Sequence, residues 1–156
     1  MANRGGARIS AAQIAALLER RRQIESALLE IQAEASLARP ARSIPWAPLT
    51  RLFEAFADVH GIGFSKMTKA LHRKRPALIP ILDSVVQAYL ANDDVDPRLS
   101  ETFGDRATAL VRSYKRDVDR NRAALKQVQR ELAGSGYRLT EVRILDILIW
   151  SVSAAA

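Results

Sequence analysis

The segment between residues 59 and 82 places two glycines directly in front of a series of basic side chains. Gly61 and Gly63 flank one apolar residue, which favours a tight turn whose backbone takes a positive φ angle or approaches a ligand closely. A helix that starts after this turn would direct its free N–H groups and the positive end of its dipole toward the turn. The turn can therefore receive a phosphate oxygen.

The basic residues of this segment recur at helical spacing. Lys66, Lys69 and Arg73 fall on one side of the predicted helix, and apolar residues fall on roughly the opposite side. Residues 59–82 contain five Lys or Arg and no Asp or Glu, so they hold most of the net charge of +7. A basic run alone indicates only a solvated surface, but the glycine turn before it favours an anion site. The predicted phosphate contacts are Gly61, Gly63, Ser65, Lys66, Lys69, His72, Arg73, Lys74 and Arg75.

Helical periodicity without a strand pattern predicts one all-α domain over residues 10–156, a helical bundle after a flexible leader at residues 1–9. Helices are predicted over residues 10–37, 48–59, 64–72, 97–133 and 140–152, with another starting near residue 83. Ser10 is the expected N-cap of the first helix, and Gly104 is a possible break. The second helix leads straight into the glycine turn, which predicts a helix-hairpin-helix unit over about residues 48–73.

The last predicted helix is apolar almost all round, which indicates a position in the middle of the domain. Asp146 in this helix is expected to pair with Arg143 or with a base from another helix, because a lone buried carboxylate is costly. Trp46 stands among prolines in a predicted connection, where it more often closes a core edge than stacks on a base. The acidic turn at residues 92–97 lacks the pattern of a calcium-binding loop.

Composition excludes several classes of chemistry. With 156 residues and no cysteine, the chain allows one domain without disulfides, thiolate zinc sites, iron–sulfur clusters or a cysteine nucleophile. His60 and His72 are the only histidines and have no carboxylate cluster nearby in sequence, so neither a metal site nor a cofactor is expected. No apolar run resembles an export signal or a membrane span. We expect a cytoplasmic protein without a membrane partner.

The Gly61-Ile62-Gly63 turn, its basic helix, a proline-containing turn and Asp83 together resemble the helix-hairpin-helix DNA glycosylases of the endonuclease III class. The resemblance covers about residues 49–90 and implies that the glycine turn grips the DNA backbone. It also implies a fold similar to the glycosylase helical domain, with Asp83 facing an extruded base. Ser65 stands where the lyase-type enzymes carry their Schiff-base lysine, and His60 replaces a proline that commonly precedes the hairpin. The activity implied is therefore a glycosylase-type hydrolysis without lyase chemistry.

A second resemblance spans most of the chain, to a family of uncharacterised bacterial proteins with a domain of unknown function. It is carried by the sequences GIGFSKMTKALH (61–72), KRP (74–76), IPILDSVV (79–86) and RILD (143–146), together with Trp150. This resemblance implies no activity.

Asp83 is the one candidate catalytic residue, and two roles are open to it. Asp83 and Ser84 precede an apolar run, which is typical of a helix N-cap. By the glycosylase resemblance, the same carboxylate would activate water or stabilise a cationic sugar, in a pocket lined by Trp46, Tyr89 or Tyr114. Both roles can hold at once, and the cap is favoured.

Three functions follow as hypotheses. The first is a DNA-binding protein that contacts phosphates through the glycine turn and its basic helix. The second is a monofunctional DNA glycosylase that uses Asp83. The third is a non-catalytic interaction domain in which the N-terminal helix or the apolar C-terminus meets a partner, such as a second copy in a homodimer.

Overall fold

The computed structural model describes residues 8–91 and 102–155. Within these ranges the chain is all-helical and forms one compact domain, which confirms the predicted fold class. The helices are α1 (Ala11–Glu19), α2 (Arg21–Leu29), α3 (Trp46–Glu54), α4 (Phe64–His72), α5 (Ser84–Leu90), α6 (Phe103–Arg120), α7 (Arg122–Gly134) and α8 (Glu141–Ala155), with a 3-10 turn at Ala41–Ser43. Most of the predicted leader and the acidic turn at residues 92–97 lie outside the described residues. None of the described helices is both long and apolar enough to cross a membrane.

The predicted first helix is interrupted in the structure. Ser10 caps α1 as expected, and its hydroxyl accepts a hydrogen bond from Gln13 N at 3.2 Å. The helix breaks at Arg20, whose guanidinium donates hydrogen bonds to the carbonyls of Ala55 and Ala57. A second helix then ends at Leu29, well before the predicted residue 37. A contact distant in sequence therefore sets the break, which helical periodicity does not reveal.

The helix before the glycine turn is also shorter than predicted. α3 starts at Trp46 and ends at Glu54, so residues 55–63 form a longer connection to α4. Asp58 in this connection has a φ angle of 61°, in the left-handed region that ends helices. α3 and α4 are thus two helices joined by several turns, rather than by the glycine turn alone.

Gly104 lies in the first turn of α6 and allows close helix packing. A Cβ atom at this position would lie 2.7 Å from Thr50 O and 2.8 Å from Glu54 Oε2, so only glycine allows α6 to approach α3 this closely. The Gly104 N–H also donates to Glu54 Oε2 at 2.6 Å. α6 begins at Phe103, and the residues directly before 102 lie outside the described part of the chain, so the possible break at Gly104 stays a prediction. The helical segment that follows breaks at Asn121.

α8 is buried on one side only. After a turn in which Gly136 has a φ angle of 90° and ends α7, α8 packs against α5, α6 and α7. Trp150 is 50% exposed and Val152 is 66% exposed, and Ile147 and Leu148 are also exposed. The expectation of a helix buried all round is therefore wrong, because the neighbouring helices cover only one face.

Candidate functional site

The glycine turn lies at the surface. Gly61 has a φ angle of 75°, in the region that the sequence predicted for glycine here. Gly61 and Gly63 are both exposed, whereas Ile62 between them is buried in the hydrophobic core. The apolar residue thus anchors the turn while the two glycines present their backbone to solvent.

The N-terminus of α4 begins directly at this turn and has no side-chain cap. Gly63 occupies the N-cap position, and the first hydrogen bond of the helix runs from Met67 N to Gly63 O at 3.2 Å. Within the described part of the chain, the amides of residues 63–66 donate to no protein acceptor. A Cβ atom built on Gly63 meets nothing within 4 Å, so the space beside the N-cap residue is open. These donors and the helix dipole together favour an anion.

A basic groove runs along α4 from this point. It is lined by Lys66, Lys69 and Arg73, together with Ile9 and Ala70, and has a volume of about 450 Å³. None of the three cations forms an ion pair with a carboxylate of the described ranges. The helical spacing seen in the sequence therefore places three unneutralised positive charges on one surface.

Gln13 connects α1 to this region, a contact that the sequence analysis missed. Its Nε2 donates to His60 O at 3.2 Å, and its Oε1 accepts from Lys66 Nζ at 3.3 Å. Lys66 Nζ also donates to Arg8 O at 3.3 Å. In the sequence, Gln13 stands three residues after Ser10, a spacing that indicates only a capping box. No sequence pattern indicated that Gln13 also contacts the glycine turn.

The remaining predicted phosphate contacts fall into two groups. Ser65 is half-buried in the first turn of α4, and Lys74 is exposed. Arg75 donates from its guanidinium to the carbonyls of Leu28 at 3.0 Å and Ile31 at 2.8 Å, so it stabilises the end of α2. His72 donates from Nδ1 to Ile79 O at 2.6 Å. Arg75 and His72 thus bind backbone carbonyls, whereas Ser65 and Lys74 remain accessible to a ligand.

Asp83 caps α5, as the favoured interpretation predicted. Its Oδ1 accepts from Val86 N at 3.0 Å, and its Oδ2 accepts from Trp150 Nε1 at 3.0 Å. Asp83 lines neither the basic groove nor the clefts beside Tyr89 and Glu30. Both carboxylate oxygens therefore have structural partners, and none of these three cavities opens onto them.

Asp146 lies buried under the segment formed by residues 79–83. Its predicted pairing with a base is wrong, because the Tyr114 hydroxyl is 2.8 Å from Asp146 Oδ1 and Ile81 N is 3.5 Å from Oδ2. The hydroxyl also lies 2.7 Å from Val142 O, although it has only one proton to donate. A protonated Asp146 satisfies all three groups, because it donates to the Tyr114 oxygen while the hydroxyl donates to Val142. Burial accordingly raises the pKa of Asp146 to about 6, against smaller opposing effects of the two hydrogen bonds and of the nearby His72 and Arg143.

The aromatic residues proposed for a base pocket lie in different places. Trp46 packs against the core edge, donates from Nε1 to Ala41 O at 3.2 Å and stacks under the Arg112 guanidinium, 4.2 Å from the ring centre. Tyr114 is fully buried, and Tyr89 lines an apolar cleft of about 190 Å³ between α5, α7 and α8. The expectation that Trp46 closes a core edge is confirmed, and the described contacts do not gather these rings into one pocket.

The described residues contain no group of three or more His, Asp or Glu side chains that could hold a metal ion. The site is thus made of backbone amides and cationic side chains, whose common ligand is an anion.

Comparison with known sequences identifies the family but no activity. The chain belongs to DUF6308, a family of unknown function whose model matches residues 6–153. No curated protein and no solved structure shows significant similarity to the chain. The resemblance to an uncharacterised family is therefore confirmed, whereas the comparisons give no support to the resemblance to DNA glycosylases.

Proposed function

We propose that this member of the DUF6308 family binds the phosphate backbone of DNA with the glycine turn and the basic face of α4. The observation that carries the proposal is an uncapped helix N-terminus beside three cations that have no carboxylate partner in the described ranges. Backbone amides and cationic side chains both bind phosphate oxygens, and together they do so more strongly than either does alone.

The length of the basic face favours a polyanion over a single anion. Lys66 in α4 and Arg73, the C-cap residue of this helix, are seven residues apart, which corresponds to roughly 10 Å along the helix axis. This length exceeds one phosphate group and equals the rise of about three nucleotides of a DNA strand. With Lys69 between them, the three cations can each neutralise a different phosphate. Such contacts position a protein on DNA without reading its sequence.

Base excision by Asp83 has no comparable support in the geometry. Its two oxygens accept hydrogen bonds from Val86 and Trp150, and no described cleft places an open space beside the carboxylate. A catalytic carboxylate must reach a reacting atom or a water molecule. We therefore propose backbone binding without base excision.

A charge-reversal experiment tests the proposal. The Lys66→Glu/Lys69→Glu variant should bind a fluorescent DNA duplex at least about tenfold more weakly than the wild type, because two phosphate contacts become repulsive. The matched control is Lys126→Glu/Arg130→Glu, which changes the net charge equally on the exposed side of α7. The control should lose much less affinity. Equal losses in the two variants would mean that only overall charge attracts DNA, and the proposed site would be refuted.

A further inference from the structure

The N-terminal helix makes polar contacts with the groups that the proposed function assigns to DNA. Lys66 Nζ donates to Arg8 O and to Gln13 Oε1, both at 3.3 Å. The Gln13 Nε2 atom bonds to His60 O at 3.2 Å. It also lies so close to Gly61 that a Cβ atom there would be 2.3 Å away. A ligand that approaches the glycine turn from this side therefore meets the amide of Gln13.

The contacts that α1 makes elsewhere are few. None of its residues is buried, and Ile14 and Leu18 are 49% and 61% exposed. Ala16 and Leu17 pack against the core, and Arg20 follows the helix with its bonds to the carbonyls beyond α3. A short helix with so little buried surface opens at low cost. Its polar contacts with the turn thus form an appreciable part of what holds it in place.

We propose that α1 and the residues just before it form an autoinhibitory latch, in which Gln13 and the Arg8 carbonyl occupy Lys66 and Gln13 flanks Gly61 until DNA displaces them. The inference rests on the proposed function and adds a regulatory element to the same site. Of the three N–H groups of the Lys66 ammonium, one is directed at Gln13 of α1 and one at the carbonyl of Arg8, which precedes the helix. A phosphate that binds Lys66 must replace the hydrogen bonds from its ammonium to Arg8 O and Gln13 Oε1. DNA binding and the closed position of the latch therefore exclude each other.

Removal of the Gln13 side chain tests the latch in the full-length protein. Gln13→Ala abolishes the bonds to Lys66 and His60, together with the capping bond from Ser10 N to Gln13 Oε1, and opens the approach to Gly61. It should bind a DNA duplex about threefold more tightly than the wild type, since two weak surface hydrogen bonds no longer compete. Gln23→Ala is the matched control, because Gln23 is an exposed glutamine on α2 whose side chain has no described hydrogen bond. Its affinity should equal that of the wild type.

Amide hydrogen exchange gives a second measurement that needs no DNA. Lys66→Met keeps the side-chain stem but removes the bonds to Arg8 and Gln13, so the amides of α1 should exchange several-fold faster than in the wild type. Unchanged α1 exchange in this variant would overturn the latch even if DNA binding is confirmed. An unchanged or weaker affinity of Gln13→Ala would also overturn it. If wild type, Gln13→Ala and Gln23→Ala all fail to bind DNA at low salt, the proposed function is refuted and the inhibitory role of α1 with it.

Discussion

The polar groups near the two ends of α4 differ in whether they have hydrogen-bond partners. At the N-terminal end, the amides of residues 63–66 donate to no described acceptor. The cations that follow along the helix have no carboxylate partner in the described ranges, although Lys66 donates to Arg8 O and Gln13 Oε1. Beyond the C-terminal end, the segment 79–83 is held by hydrogen bonds: His72 binds Ile79 O, the Thr68 hydroxyl accepts from Leu82 N, and Asp83 accepts from two donors. Unsatisfied groups at the surface leave binding capacity for a ligand, whereas satisfied ones stabilise the fold. The same sequence motif thus contains a candidate binding site at one end and a structural anchor at the other.

The largest expected effect concerns the buried acid under the anchored segment. The pKa of Asp146 is raised from 3.8 to about 6 in the folded protein, so the folded state binds this proton more tightly than the unfolded state. Its contribution to stability is therefore fully present below about pH 4 and is lost as the pH rises through 6. This loss amounts to about 3 kcal/mol. The Asp146→Asn variant has no titratable group at this position, so its free energy of unfolding should not show this decrease with rising pH.

Urea unfolding at several pH values measures this difference. The stability of the wild type minus that of Asp146→Asn should decrease between about pH 4 and pH 6 and level off above, because all other groups titrate alike in both proteins. A difference that stays constant across this range would show that the pKa of Asp146 is not raised in the fold, and that Tyr114 and Ile81 N stabilise the ionised carboxylate.

Removal of the α5 cap is expected to have the next largest effect. Asp83→Ala loses the acceptor for Val86 N and leaves Trp150 Nε1 without its partner, which should lower the free energy of unfolding by about 1–2 kcal/mol. Asp83→Asn retains a capping oxygen and should lose less than half as much. Urea unfolding of both variants checks this. If Asp83→Ala is as stable as the wild type, Asp83 does not anchor the fold, and its carboxylate has another role.

The same substitution at Gly61 and at Gly63 should have opposite effects on stability. Gly61→Ser should destabilise the fold by about 1 kcal/mol, because a side chain at a φ angle of 75° is strained and must displace Gln13. Gly63→Ser has open space and an extended backbone, and its hydroxyl can cap α4, so it should gain a few tenths of a kcal/mol. Thermal unfolding of the two variants measures this contrast. Equal destabilisation would contradict the open, uncapped N-terminus on which the proposed site depends.

Local patterns in the sequence predicted a large part of this molecule. The all-α class, the caps at Ser10 and Asp83, the positive φ angle at Gly61 and the end of α7 near Gly136 all depend on residues close together in the chain. The same holds for the spacing of Lys66, Lys69 and Arg73, which one helix brings onto one face. Periodicity and capping chemistry act over one or two turns, so the sequence reveals them directly.

Features that depend on distant partners were not predictable in this way. The break after α1 and the early end of α3 involve Arg20 and carbonyls more than thirty residues away. Asp146 has Tyr114 as its partner instead of the expected base. Gln13 contacts His60 in the turn, which lies 47 residues later in the chain. The exposed side of α8 is apolar, so its composition resembles that of a buried helix. Each of these depends on how helices pack, which no single-helix pattern contains.

The most direct test of the account is a salt titration of DNA binding by the wild-type protein. Contacts to about three phosphates should weaken the affinity for a duplex roughly 40-fold between about 50 and 200 mM salt, with little dependence on base sequence. An affinity that does not change with salt, or an absence of binding at the lower concentration, would contradict the proposal that the glycine turn and the basic face of α4 bind the DNA backbone.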